Sequence, residues 1–130
     1  MRVYLASTAD ELQDFIESQS LDVAEVYAPT PIYSATHAEM DEEELEYSLS
    51  LLAAEDALDF VDDESGAAIV IALEAPDSII GSFDEISADL LSPLSWSMVE
   101  AIFLVGEDAE DLTWFAPQEA KASISEWLAQ

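Results

Sequence analysis

The chain has no cysteine among its 130 residues. That excludes disulfides, iron–sulfur ligation, thiolate zinc sites and cysteine nucleophiles. Basic side chains are nearly as scarce: Arg2 and Lys121 stand against 30 acidic residues, for a formal net charge of -28. A nucleic-acid binder needs cations to displace the counterions around phosphates. Two cannot form a patch, so direct binding of nucleic acid is disfavoured, as is an anionic membrane surface. There are only three glycines, and no Gly-rich run precedes a lysine, so no phosphate-cradling loop can be built. One histidine, His37, without any cysteine argues against a structural zinc site, and no cofactor or metal is indicated. The longest apolar run, Ala67 to Leu73, is far shorter than the roughly 20 residues of a membrane helix. The opening MRVYLASTADEL has neither a long apolar stretch nor an A-x-A site, so no secretory signal is expected and a soluble cytoplasmic protein is the default.

What is present is material for a core. Apolar residues make up 51% of the chain and the mean hydropathy is +0.15, unlike disordered chains, which join high charge to low hydrophobicity. At this length a single domain over residues 1–130 is expected. So negative a chain repels itself, and salt should favour its folding. Its carboxylates should titrate high, each ionising in the field of the others. The high acidity is also what adaptation to salty surroundings would produce, in which case it carries no information about partners.

Residues 2–6, RVYLA, alternate as a strand does. Thr8 and Glu11 have capping-box spacing, and Leu12, Phe15 and Ile16 form the stripe of a first helix over about 9–19. VAEVYA at 23–28 reads as a second strand ended by Pro29 and Pro31, with a loop or irregular helical turn from Ile32 to Met40. In DEEELEY, residues 41–47, Asp41 reads as the N-cap of a second helix running to about Val61. Its acids meet the positive end of the helix dipole. At 100° per residue, Leu45, Leu49, Leu52, Ala53 and Phe60 of that helix fall on one side, and Tyr47, Leu51, Ala54 and Leu58 nearly opposite. A helix lying on a sheet needs one stripe, so two stripes predict a helix covered on both sides, by another helix of the chain or by a second subunit. AAIVIALE, Ala67 to Glu74, reads as a central strand covered on both faces. Ile86 to Leu91 and Val99 to Val105 complete the strands, and EDAEDLTWF is read as a short helical turn. Pro117 suits the first position of a last helix with Ala120, Ile124, Trp127 and Leu128 on its apolar side.

The predicted order is β-α-β-α-β-β-β-α. It implies an α/β fold: a single-domain mixed sheet of about five strands with three helices, parallel in its first half.

The MRVYL opening, Thr30-Pro31, the DEEELEY helix start, the strand ending in Pro76, Trp96 in PLSW, and VEAIFLVGED at 99–108 together resemble an uncharacterised family of small actinobacterial proteins. The resemblance spans most of the chain; the loss of basic residues and the longer LTWFAPQE segment depart from the pattern. It implies this fold and a bacterial cytoplasmic setting, and no activity.

Function is read from what remains. Acid clusters at 41–46, 55–59, 62–64 and 107–111 fit no EF-hand spacing and read as solvated faces. His37 lies in YSATHAEM, near Thr30 and Tyr33, where an open α/β sheet would put a ligand. No G-x-S-x-G elbow accompanies it. Trp96, Trp114 and Trp127 read as packing residues, except that Trp114-Phe115 stands in an acidic segment as a candidate partner contact. The favoured expectation is a non-enzymatic accessory or interaction domain. It would bind a basic protein partner through its acidic face, with Tyr47, Leu51, Leu58, Trp114 and Phe115 as contacts. The alternatives are a small-molecule binder or enzyme around Thr30, Tyr33 and His37, a nucleic-acid mimic, and a homo-oligomer through the second predicted helix.

Overall fold

A computed structural model describes residues 1–130. Its centre is the pairing of β1 (Arg2–Thr8) with β4 (Ala68–Glu74), antiparallel and in register from Arg2–Glu74 to Thr8–Ala68. β8 (Val99–Val105) and β9 (Leu112–Phe115) extend the sheet beyond β4. On the other side of β1 lie β3 (Glu25–Tyr27), β6 (Ser87–Leu90) and β5 (Ile80–Phe83). The order is β5-β6-β3-β1-β4-β8-β9, with every pair antiparallel. β2 (Ser20–Leu21) and β7 (Leu94–Ser95) form a small separate ribbon. The helices are α1 (Ala9–Ser18), α2 (Pro31–Thr36), α3 (Glu42–Phe60) and α4 (Pro117–Leu128).

The α/β class is as expected, with more elements than the five strands and three helices predicted. The parallel first half needs correction. Helix α1 carries the chain back by about 15 Å. The six residues 19–24, extended at roughly 3.3 Å each, cancel that return, so β3 enters opposite to β1. Parallelism survives one strand removed: β3 and β4 both oppose β1, hence run parallel with β1 between them, a split β-α-β unit around α3. LTWF is also a strand rather than a helical turn. Its Thr, Trp and Phe suit a pleated surface, and the Gly106 amide, donating to the Asp111 carbonyl at 2.7 Å, closes the hairpin.

The helix starts are as read from sequence. Asp41 accepts from the Glu44 amide at 2.9 Å, with Glu42, Glu43 and Glu44 in the first turn of α3. Thr8 accepts from the Glu11 amide at 3.3 Å, and the Glu11 carboxylate takes the Ser7 hydroxyl at 2.7 Å. At Gly66 the backbone has φ +75, and a Cβ there would lie 2.9 Å from both the Ala9 Cβ and the Trp127 carbonyl oxygen. Only glycine fits where β4 is entered between α1 and α4.

The two sheet faces differ in side-chain size. Val3, Leu5, Ile69, Ile71, Leu73 and Ile102 pack on α1 and α4 through Leu12, Phe15 and Trp127. Ala6, Ala68, Ala72 and Ala101 meet Ala53, Ala54 and Ala57 of α3 on the other side. AAIVIALE is therefore continuous in hydropathy while its faces alternate, Ile69, Ile71 and Leu73 toward α1 and α4 and Ala68, Val70 and Ala72 toward α3.

Helix α3 requires the second correction. Its buried residues are Leu49, Ser50, Ala53, Ala54 and Ala57, a face lying between the two predicted stripes. The stripes are the two shoulders of one broad contact with the sheet, and Glu44, Glu55 and Asp59 are exposed on the far side. Near the start of the helix, α2 meets that far side at Ser48, through the Tyr33 hydroxyl. Small residues were the cause: Ser50, Ala53 and Ala57 carry little hydropathy, yet they let the helix approach β1 and β4 closely.

Candidate functional site

Because α3 lies over β1 and β4, the sheet extends past it on both sides, and a trough runs along each shoulder of the helix. The trough toward β8 and β9 has a volume of about 370 Å³. Tyr4, Phe103 and Leu112 line it from the sheet, and Glu43, Glu46 and Tyr47 from α3. Toward the C-terminal end of α3 a second hollow follows, bounded by Glu55, Leu58 and Asp59 on the helix and by Glu107, Asp108 and Glu110 at the β8–β9 turn. Trp114 stands opposite Phe103 in the β8–β9 pairing and so projects on the same side of the sheet. Tyr47 is 58% exposed and Trp114 57%, while most large apolar side chains are inside. The surface is thus apolar along its floor and acidic along both rims.

Glu46 is held above the ordinary carboxylate range by partial burial, with the fields of Glu42, Glu74 and Glu43 adding to it and Arg2 acting against it. Tyr4 beneath is likewise raised, first by burial and then by Glu46, again with Arg2 opposing. The Arg2 Nε is buried without a hydrogen-bond partner. The other basic side chain, Lys121, lies over the Trp96 ring at 5.5 Å.

Of the residues named from sequence, Tyr47 and Leu58 line these two hollows, Leu51 falls on the same shoulder by helical periodicity, and Trp114 lines neither but projects on the same side of the sheet from the edge strand. Phe115, the next residue on β9, turns to the opposite face and packs on Trp127 at 4.9 Å. Strand alternation separates the two aromatics. Trp96 and Trp127 are core residues, Trp96 meeting Phe15 edge-on at 5.3 Å.

The loop residues Thr30, Tyr33 and His37 do come together, spaced along α2 from its N-cap to its C-cap. Thr30, fully buried, caps that helix by accepting from the Tyr33 amide at 3.1 Å and donates its hydroxyl proton to the Glu85 carbonyl at 2.5 Å. The Tyr33 hydroxyl meets Ser48 of α3. His37 turns its Nδ1 to the Tyr33 carbonyl at 3.0 Å and lays its ring on the Tyr33 ring, centroids 4.4 Å apart. The two hydroxyls and the His37 Nδ1 are engaged with the chain itself, and the three residues line none of the cavities described.

Sequence reasoning missed the trough on the other shoulder of α3. It holds about 260 Å³ between that helix and β1, β3 and β6, with Tyr27, Asp56 and Phe60 at its mouth. The Tyr27 hydroxyl donates to the Asp56 carboxylate and ties β3 to α3. Tyr27 and Asp56 are 29 residues apart in the chain, so only the strand order could have paired them. No group of three or more His, Asp or Glu side chains is arranged to hold a metal ion, and no helix is long and apolar enough to cross a membrane.

Fold and surface together define an α/β/α sandwich on one antiparallel sheet, with an acidic, aromatic-floored trough beside its middle helix. The chain belongs to a family of unknown function, DUF6912, whose model matches residues 1–123. The MRVYL and DEEELEY segments had suggested membership of an uncharacterised family, and the match bears that out. No curated protein and no solved structure matches the chain.

Proposed function

We propose that this protein is a non-enzymatic interaction module that holds a basic segment of a partner protein in the trough between α3 and β9. The observation that carries the reading is the pair Tyr47 and Trp114, both more than half exposed, Tyr47 lining the trough over Phe103 and Leu112 and Trp114 next to that floor on the same side of the sheet. Exposed aromatics flanking an apolar floor are what a binding hot spot requires. The carboxylates along both rims, Glu43 and Glu55 on the helix and Glu107 and Glu110 at the turn, select positive charge and steer its approach. From Glu43 to Asp59 the trough follows sixteen residues of helix, about 24 Å, which matches about seven residues of extended chain. The free edge of β9 lies alongside and offers unpaired backbone groups to such a segment.

A labelled ten-residue peptide alternating Lys or Arg with Leu or Trp tests this by fluorescence anisotropy. Saturable binding at 150 mM salt is expected. A lysine-only peptide of equal charge should bind at least tenfold more weakly, because the floor would go unused. Equal affinity for both peptides, or unchanged affinity after Trp114→Ser and Leu58→Ser, would reduce the interaction to bulk charge attraction and remove the reading.

A further inference from the structure

The second trough is chemically unlike the first. It is smaller, about 260 Å³, a little below the roughly 300–1,000 Å³ of pockets for drug-sized ligands. Its lining is rich in aromatic rings, those of Tyr4, Tyr27 and Phe60, with Ile86 beside them. Two carboxylates stand in the same lining, each beside a hydroxyl: Asp56, which accepts from Tyr27, and Glu25, which accepts from Ser87 at 3.4 Å. No Lys, Arg or His is among the lining residues. Phe60 is 55% exposed at the C-terminal end of α3, an apolar ring left at the mouth of the cavity where a ligand would cover it.

Aromatic faces and carboxylates favour the same guest. The rings attract a cation through their quadrupole, and the carboxylates supply charge-assisted hydrogen bonds to N–H donors. The local field is already strongly negative. Burial, the bond to Asp56 and the charges of Asp56, Glu25 and Glu55 together push the Tyr27 hydroxyl far above its ordinary pKa. It stays a donor at any physiological pH, and it holds one side of Asp56 in place.

We infer that this cavity binds a small organic ammonium ion: one aromatic or branched apolar body, seated among Tyr4, Tyr27 and Phe60, carrying a primary amine that reaches Asp56 and Glu25. The inference is independent of the peptide trough on the opposite shoulder of α3, since the two share only Tyr4, beneath the helix.

The test is isothermal titration calorimetry of the whole chain at pH 7 and 150 mM salt, where loosely held counterions are screened. The probes are 2-phenylethylamine and its neutral counterpart 2-phenylethanol. The amine should bind in a saturable one-to-one manner, at least tenfold tighter than the alcohol. Asp56→Asn, which can still accept from Tyr27, should abolish that preference and leave alcohol binding unchanged. Phe60→Ala, at an exposed position that leaves the core intact, should weaken both probes. Equal binding of amine and alcohol, no saturation, or an amine preference that survives Asp56→Asn would overturn the inference.

Discussion

Phe103 and Trp114 face each other across the β8–β9 pair, one partly buried against the α3 layer and the other 57% exposed. An indole held by its strand neighbour but open to solvent costs little to remove. Trp114→Ser should therefore shift Tm by no more than about 2 °C, the effect of roughly 0.5 kcal/mol in a domain of this size. It should weaken the basic peptide at least tenfold, since tryptophan is a frequent hot-spot residue. Thermal melts and anisotropy on the same sample check both. A large loss of Tm would make Trp114 a structural residue instead.

Thr30 gives the opposite expectation. It is buried, caps α2, and spans to the Glu85 carbonyl. Thr30→Ala should destabilise by about 1–2 kcal/mol, from the lost cap and the unsatisfied carbonyl. Thr30→Ser should recover most of this. Urea melts of both variants are the measurement, and a Thr30→Ala protein as stable as the parent would contradict the capping role.

Glu46 makes stability depend on pH in a direction that can be worked out. Its carboxyl is raised in the folded state, chiefly by burial, so the folded protein holds that proton more tightly than the unfolded chain. Ionised Glu46 therefore subtracts stability at neutral pH. The deficit fades as pH falls through the raised folded value, and is gone below the ordinary 4.5. Glu46→Gln should raise Tm at pH 7 and match the parent near pH 4. A Tm gain that persists at pH 4 would assign the effect to something other than ionisation.

At Gly66, φ is +75 and any Cβ would press on Ala9 and on the Trp127 carbonyl. Gly66→Ala should destabilise by about 1–3 kcal/mol through backbone strain and crowding together. A denaturant midpoint unchanged from the parent would show that the turn relaxes freely.

The net charge of -28 should appear in salt dependence. Adding NaCl from 20 to 500 mM screens the self-repulsion, and Tm should rise by about 4 °C for each ~1 kcal/mol relieved. Peptide binding should weaken over the same range. If salt lowered Tm, repulsion would not be the dominant charge effect.

The local chemistry of these elements was legible in the sequence. Thr8, Asp41 and Pro117 announced the starts of α1, α3 and α4, because caps act within four residues. The strands β1, β4 and β8 were visible because their hydropathy runs are long. Pairing was not visible: strand direction turned on six unremarkable residues after α1, and Tyr27 meets Asp56 only because β3 lies beside β1. The candidate contacts could be named one by one, Tyr47 and Leu58 from helical periodicity and Trp114 from its acidic setting. Their common side of the sheet needed the strand order, and the orientation of α3 is hidden in the sequence because alanine and serine mark close approach without marking hydropathy.

The place of β1 has a consequence for how the chain is made. It precedes every other strand of the sheet yet sits inside it, and its long partner β4 begins only at Ala68, with β8 not complete until Val105. Until β4 has left the ribosome, Val3, Tyr4 and Leu5 have only the short β3 to pair with. Folding must then wait for contacts distant in sequence, which is slow. During that wait the dense acidity of the nascent chain keeps neighbouring copies apart, a protection that operates before any native surface exists.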